Sequence, residues 1–320
     1  TPDDVGQDSS RSRPRIRKGI MKYVRILGRP VGDNHQKNFE FAANSAVEIA
    51  LSASSNDVTI VTHDEPTVRV ALTWFGINTE WIGDTVEVSF DPESSRLSID
   101  TEAVNPMPPA DFEPKALAFG FIKSPKKNGG SRGAFMFASN VDVEIAVPHQ
   151  ATIASTMTSG DLTLAGRFSS VTATATSGDI RLTATDASAP ISFARLQANS
   201  GDIKIQAAIL DVSATAHSGD ITLGNVVDAD VSTTSGDIEF GVIKGAQPGS
   251  IRCEAKSGDV VVRVARGLSV ALDVATKSGE ISNAIPLDGD SSGEMGSPES
   301  DVEISIQTSS GDVRIKKSVL

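Results

Sequence analysis

Seven aspartates and one glutamate recur along this chain in one setting. Ser-Gly-Asp followed by a branched aliphatic begins at Ser159, Ser177, Ser200, Ser218, Ser235, Ser257 and Ser310, and a Ser-Gly-Glu-Ile variant begins at Ser278. The acids are Asp161, Asp179, Asp202, Asp220, Asp237, Asp259, Glu280 and Asp312. Carboxylates repeated in register can do two things. They can gather Ca²⁺, which takes several carboxylate oxygens, or they can accept hydrogen bonds from backbone N–H groups and hydroxyls at a turn. Stacked at about 4.8 Å, neighbouring charges repel by roughly 1 kcal/mol in water, so something must offset them. The spacing of one motif per coil favours the hydrogen-bonded reading. The aspartates of the column stand beside it as a candidate Ca²⁺ site, and no other cofactor is expected.

Other chemistry is sparse. Arg181, Lys204 and Arg314 share the slot four residues after the motif serine, and Arg263 stands six after its own. With the acids they could line a polysaccharide-cleaving groove. The histidines His35, His63, His149 and His217 are scattered, and no metal-ligand spacing joins them to the single cysteine, Cys253. There is no nucleophile elbow, phosphate loop or dinucleotide fingerprint. The slot just before the motif serine holds Thr158, Thr176, Asn199, His217, Thr234, Lys256, Lys277 and Ser309. These outward polar residues are the candidate partner-binding column.

The elements that position these residues follow from parity. At positions −6, −4 and −2 relative to the motif serine, 20 of 24 residues are apolar, while the interleaved positions are almost all polar. That is a strand with one buried face. After the motif the apolar residues sit at +3 and +5, as in Ile180 and Leu182 or Ile238 and Phe240. A straight strand cannot switch faces, so Ser-Gly-Asp is a corner where the core side is reset. Glycine tolerates the positive φ of such a corner. A motif recurring at about 20 residues signals stacked rungs sharing one core. Length variation between the regular rungs falls on the side opposite the corner. The predicted fold is all-β, a single-chain β-solenoid of β-helix or β-roll type with a less regular N-terminal half.

Residues 38–150 form that half. Ser55-Asn56-Asp57-Val58 repeats the register once in degenerate form, with Asn56 expected at positive φ. Alternating strands are predicted at 68–72, at 86–90 and 97–99 around the turn Asp91–Ser95, and at 141–147, ended by Pro148. Residues 105–133, rich in Pro, Gly and Lys, are expected as an inserted loop or end cap. Residues 151–320 are the repeat solenoid, with a mobile loop at 284–300. Residues 1–37 hold nine Lys/Arg against four Asp and are expected as a disordered basic tail able to touch an anionic membrane.

The chain carries −12 overall. Residues 38–320 hold 20 basic and 37 acidic residues, so this body carries −17 and should repel nucleic acid. Cys253 falls at a core position and reads as a small buried hydrophobe. No stretch approaches 18 consecutive apolar residues, and no apolar signal core is evident near the N-terminus. Location is expected at the cell surface if a signal has been removed, and otherwise in the cytoplasm or on a membrane.

The repeated Ser-Gly-Asp-Ile, the Thr/Ala strands before it and the segment Val141-Asp-Val-Glu-Ile-Ala-Val-Pro148 resemble a bacterial family of Ser-Gly-Asp β-solenoids known as putative adhesins. The resemblance covers about 38–320. It implies the solenoid fold and a cell-surface adhesion role, and for some relatives a link to envelope-stress sensing. It implies no catalytic residues. The expected function is a non-catalytic binding or adhesion module presenting a Ser/Thr/Asp-lined face to a protein or glycan. The alternatives are an intracellular or membrane-associated scaffold in envelope-stress signalling and a polysaccharide-active β-helix enzyme.

Overall fold

The computed structural model describes residues 17–18, 33–43, 46–76, 82–101, 141–184, 190–285 and 300–318. The expected insertion 105–133, most of the loop 284–300 and most of the tail 1–37 lie outside the described residues. Among the described residues strands dominate, and all 23 of them join one hydrogen-bonded network.

The repeat builds two parallel walls that meet at the Ser-Gly-Asp corner. One wall runs in space through Arg96–Asp100, Glu48–Ser55, Ala151–Ser159, Phe168–Ser177, Ile191–Ser200 and Ala208–Ser218. It continues through the second half of Ile221–Ser235, then Gly249–Ser257, Val302–Ser310 and Val270–Thr276. The other wall runs through Val141–Pro148, Val58–His63, Leu162–Ala165, Ile180–Thr183 and Ile203–Gln206. It ends with the first half of Ile221–Ser235, then Ile238–Val242, Val260–Val264, Val313–Lys317 and Ile281–Asn283. Corner serines pair with corner serines, as Ser177 with Ser159 and Ser200 with Ser218. A one-residue slip would turn every buried side chain outward, so the alternation predicted from sequence pins this register. Between the walls lies a single core of small and branched residues, among them Ala173, Leu196, Val231, Ile238 and Ile306, with Cys253 fully buried.

Each corner glycine satisfies two constraints. Its φ is positive, between 104° and 149° across the eight motifs, where a side chain is strained. A Cβ there would also lie 2.0–2.1 Å from a carbonyl oxygen of the neighbouring rung.

Three features differ from the sequence reading. Asn56 is not at positive φ; among the described non-glycine residues only Ser95 and Gln150 are. Asn56 is 3% exposed and acts through its amide. Its Nδ2 donates to Thr101 Oγ1 at 2.5 Å and its Oδ1 accepts from the Val141 N–H at 3.1 Å. These two residues flank segment 102–140. Both flanking residues stand on the corner side, so this irregular rung departs there from the regular ones, and Asn56 bridges them where a corner would be. Second, the last two rungs are exchanged: the Ser310 rung lies between the Ser257 and Ser278 rungs. The Ser278 rung is the outermost, and Ile281 is 45% exposed there. Third, Asp33–Ala42 is one strand across position 37/38, pairing antiparallel with Thr67–Gly76, and Arg17–Lys18 pairs with Lys37 and Asn38.

The first end of the stack is closed by antiparallel structure. Thr67–Gly76 pairs antiparallel with Val141–Pro148, and Glu87–Asp91 with Arg96–Asp100. Phe39, Phe41, Trp74, Ile82 and Val86 are buried there. This meets the requirement that a solenoid end be capped.

Candidate functional site: the corner ladder and the outward face

At the corner, each acid except the terminal Glu280 is held by the next rung's backbone. Asp57 Oδ1 accepts the Asp161 N–H at 3.0 Å, Asp161 Oδ1 the Asp179 N–H at 3.0 Å, and Asp179 Oδ1 the Asp202 N–H at 2.8 Å. Asp202, Asp220 and Asp237 accept from Asp220, Asp237 and Asp259 at 2.9, 2.9 and 2.8 Å. Asp259 accepts from Asp312, and Asp312 from Glu280, both at 2.9 Å. The ladder is unbroken from Asp57 to Glu280, and it follows the exchanged rung order. Asp57 is the member missed in the sequence column. Its signal was present, two residues after Ser55 in the degenerate motif.

Arginines at the +4 slot fasten the second carboxylate oxygens. Arg314 donates to Asp259 Oδ2 at 2.9 Å and to Asp312 Oδ2 at 2.8 Å. Arg181 donates to Asp161 Oδ2 at 2.6 Å and also to Asp179. Arg263, six residues after Ser257, pairs instead with Glu239, outside the ladder. The backbone N–H and then the guanidinium hold the Asp161 carboxyl below its ordinary range; for Asp259 the Asp312 N–H leads and Arg314 adds to it. Burial, with Asp57 nearby, pushes Asp142 the other way. Among the described residues, no group of three His, Cys, Asp or Glu is arranged to hold a metal ion.

The outward face of the first wall has the opposite character. Thr158, Thr176, Asn199, His217, Lys256 and Lys277 are exposed, and Thr234 and Ser309 half-exposed. In-register pairing lines them up along the stack, with Ser309 between Lys256 and Lys277. This column carries no acid in a strongly acidic chain. The column inward of it holds one, Glu254, which accepts from Arg252 Nε at 3.0 Å. A hollow of about 500 Å³ opens over the last five rungs, bordered by Thr234, Lys256, Lys277, Gln307 and Ser309.

One constellation was invisible in the sequence. His149 Nδ1 lies 2.7 Å from Thr62 Oγ1, and His149 Nε2 lies 3.0 Å from Asp64 Oδ1. Hydroxyl, imidazole and carboxylate in line resemble a nucleophile and its base. Here Thr62 Oγ1 also accepts the Arg167 N–H at 2.9 Å and sits 2.1 Å from the place of a Gly166 Cβ. The hydroxyl is packed between two turns, so the arrangement works as a polar lock on the side opposite the corner.

Two stacked parallel walls, a glycine corner and an outward polar column define a parallel β-solenoid. The chain belongs to the Toastrack DUF4097 family, whose model matches residues 121–316. Similar solved structures include a putative adhesin from Parabacteroides merdae (TM-score 0.47, 10% identity, 88% of this chain and 96% of that chain). Another is a putative adhesin from Parabacteroides distasonis (TM-score 0.46, 16% identity, 88% and 98%). A third is a putative lipid binding protein from Parabacteroides distasonis (TM-score 0.37, 12% identity, 88% and 96%). No curated protein matches the chain. Among the described residues no helix is long and apolar enough to cross a membrane.

Proposed function

We propose that this protein is a non-catalytic binding module that presents the outward face of its first wall to a protein or glycan at a surface. The supporting observation is the contrast between the two polar columns. The corner carboxylates are occupied within the fold by the ladder. The column Thr158, Thr176, Asn199, His217, Thr234, Lys256, Ser309, Lys277 points outward as a row of hydroxyl, amide, imidazole and ammonium groups. A rigid sheet face holds such groups at fixed intervals, about 4.8 Å between rungs, so binding need not order them first. In this reading the Asp column is structural, and Ca²⁺ is not needed to hold it.

The test is a glycan and protein array probed with the wild-type chain and with a variant carrying Thr158→Glu, Thr176→Glu, Asn199→Glu and His217→Glu. All four sites are exposed, so the melting temperature should stay within the range of neutral surface changes. The expected result is ligands bound by the wild type and lost by the variant. Binding unchanged in the variant refutes this face as the site.

A further inference from the structure

We infer that the hollow over the last five rungs is a subsite for an acidic polysaccharide, one whose anionic groups recur along an extended chain. This rests on the binding reading above and names a ligand class for one part of that face. Three observations carry it. First, the hollow gathers two unpaired cations. Among the described residues, neither the Lys256 nor the Lys277 side chain has a hydrogen-bond or ion-pair partner, whereas Arg181, Arg252, Arg263 and Arg314 are all engaged by carboxylates.

Second, the exchanged rung order sets their spacing. In sequence order the two lysines would stand on adjacent rungs, about 4.8 Å apart and repelling one another. With the Ser310 rung between them they stand two rung spacings apart, roughly 10 Å, with Ser309 in the gap. Two ammonium groups at that separation can each take a different anion along one chain, with a hydroxyl between them for a neutral part.

Third, the rest of the lining suits sugar. Ser232, Thr234 and Gln307 offer hydroxyls and an amide. The hollow contains no aromatic ring on which a base could stack, as single-stranded nucleic acid requires, and no large apolar side chain to receive a lipid tail. The acids nearby are already neutralised in part. Glu254, the one acid of the lining, is paired with Arg252, and Asp259 and Asp312 outside it are bridged by Arg314.

The experiment is isothermal titration of the full chain with sodium polygalacturonate oligomers at low salt. Neutral dextran, duplex DNA and phosphatidylglycerol vesicles serve as comparison probes. The variants are Lys256→Gln with Lys277→Gln, and Lys204→Gln as a lysine outside the hollow. Polygalacturonate should bind the wild type and Lys204→Gln alike. It should bind the double variant more weakly by on the order of tenfold, the effect of two exposed ion pairs. Binding should also weaken with added salt. An unchanged melting temperature shows that the double variant is folded. The inference is overturned if the wild type takes no polygalacturonate, if the double variant binds equally well, or if DNA and vesicles bind as strongly. Should polygalacturonate fail while an array ligand is still lost in the four-glutamate variant, this subsite falls and the broader binding face stands. If no ligand responds to either variant, both fall.

Discussion

Replacing the corner glycine Gly219 by alanine should be among the most damaging small substitutions in this protein. Two costs add there. The first is backbone strain: Gly219 has φ 142°, a conformation costing a side chain about 1–3 kcal/mol. The second is a collision. An alanine Cβ would lie 2.1 Å from the Gly201 carbonyl oxygen, and relieving this needs the two rungs to part locally by about 1 Å. Three hydrogen bonds tie those corners: Gly201 N–H to the Ser218 carbonyl at 3.0 Å, Ile203 N–H to the Asp220 carbonyl at 2.9 Å, and Asp220 N–H to Asp202 Oδ1 at 2.9 Å. Stretched by about 1 Å they pass out of hydrogen-bonding range, at about 1 kcal/mol each. The sum is about 4–6 kcal/mol. Gly267→Ala separates the costs, since Gly267 has φ 81° and nothing within 4 Å of a Cβ, leaving strain alone at about 1–2 kcal/mol. Guanidinium unfolding followed by far-UV circular dichroism measures both, with hydrogen exchange to localise the damage, because stacked repeats can lose all-or-none behaviour. If the two variants agree to within about 0.5 kcal/mol, the collision does not matter and the account of the corner is wrong.

Four further outcomes follow from the same geometry. Asp220→Asn keeps an Oδ1 acceptor for the Asp237 N–H and removes a charge, so it should be near neutral; Asp220→Ala should cost about 1 kcal/mol, and equal losses in both variants by chemical denaturation would contradict the ladder. The Asp161 and Asp259 pKa values are lowered in the fold, so their stabilisation is complete above the unfolded value of about 3.9 and is lost as pH falls through the folded values. Arg181→Met with Arg314→Met should therefore destabilise most at neutral pH, with the gap from wild type closing under acid in pH-dependent melting. Cys253 is fully buried and its thiol is pushed up to about 12 by burial, so it should resist Ellman's reagent in the native state and react on unfolding; fast native labelling would contradict its place in the core. Amides of 270–283 should exchange faster than those of 302–317, because the Ser278 rung is outermost; the reverse order, read by mass spectrometry, would refute the exchange of rungs.

Local pattern and global placement divide the account of this protein between them. The alternation of buried and exposed residues, the change of parity at each Ser-Gly-Asp and the buried positions of Cys253 and Ile238 were all legible in the sequence. Each is set within a single strand or turn, where side-chain direction alternates by geometry alone. So was the outward column from Thr158 to Ser309. Which rung lies beside which was not legible, because every rung offers the same corner and the same strand edge. Burial decides it. The Ser310 rung carries Ile304, Ile306, Val313 and Ile315 toward the core, all 0–1% exposed. The Ser278 rung carries Asn283 in the slot that holds Ile315 in the Ser310 rung, and burying such a group unpaired costs free energy, so it takes the end. From that placement follow contacts with no counterpart in sequence spacing. They include the Asp312 bond to Glu280, the Arg314 bridge, the Asn56 amide closing the gap between Thr101 and Val141, and Ser309 standing between two lysines. The sequence alone determined a solenoid with a polar face; only the stacking of its rungs decided which groups on that face stand together.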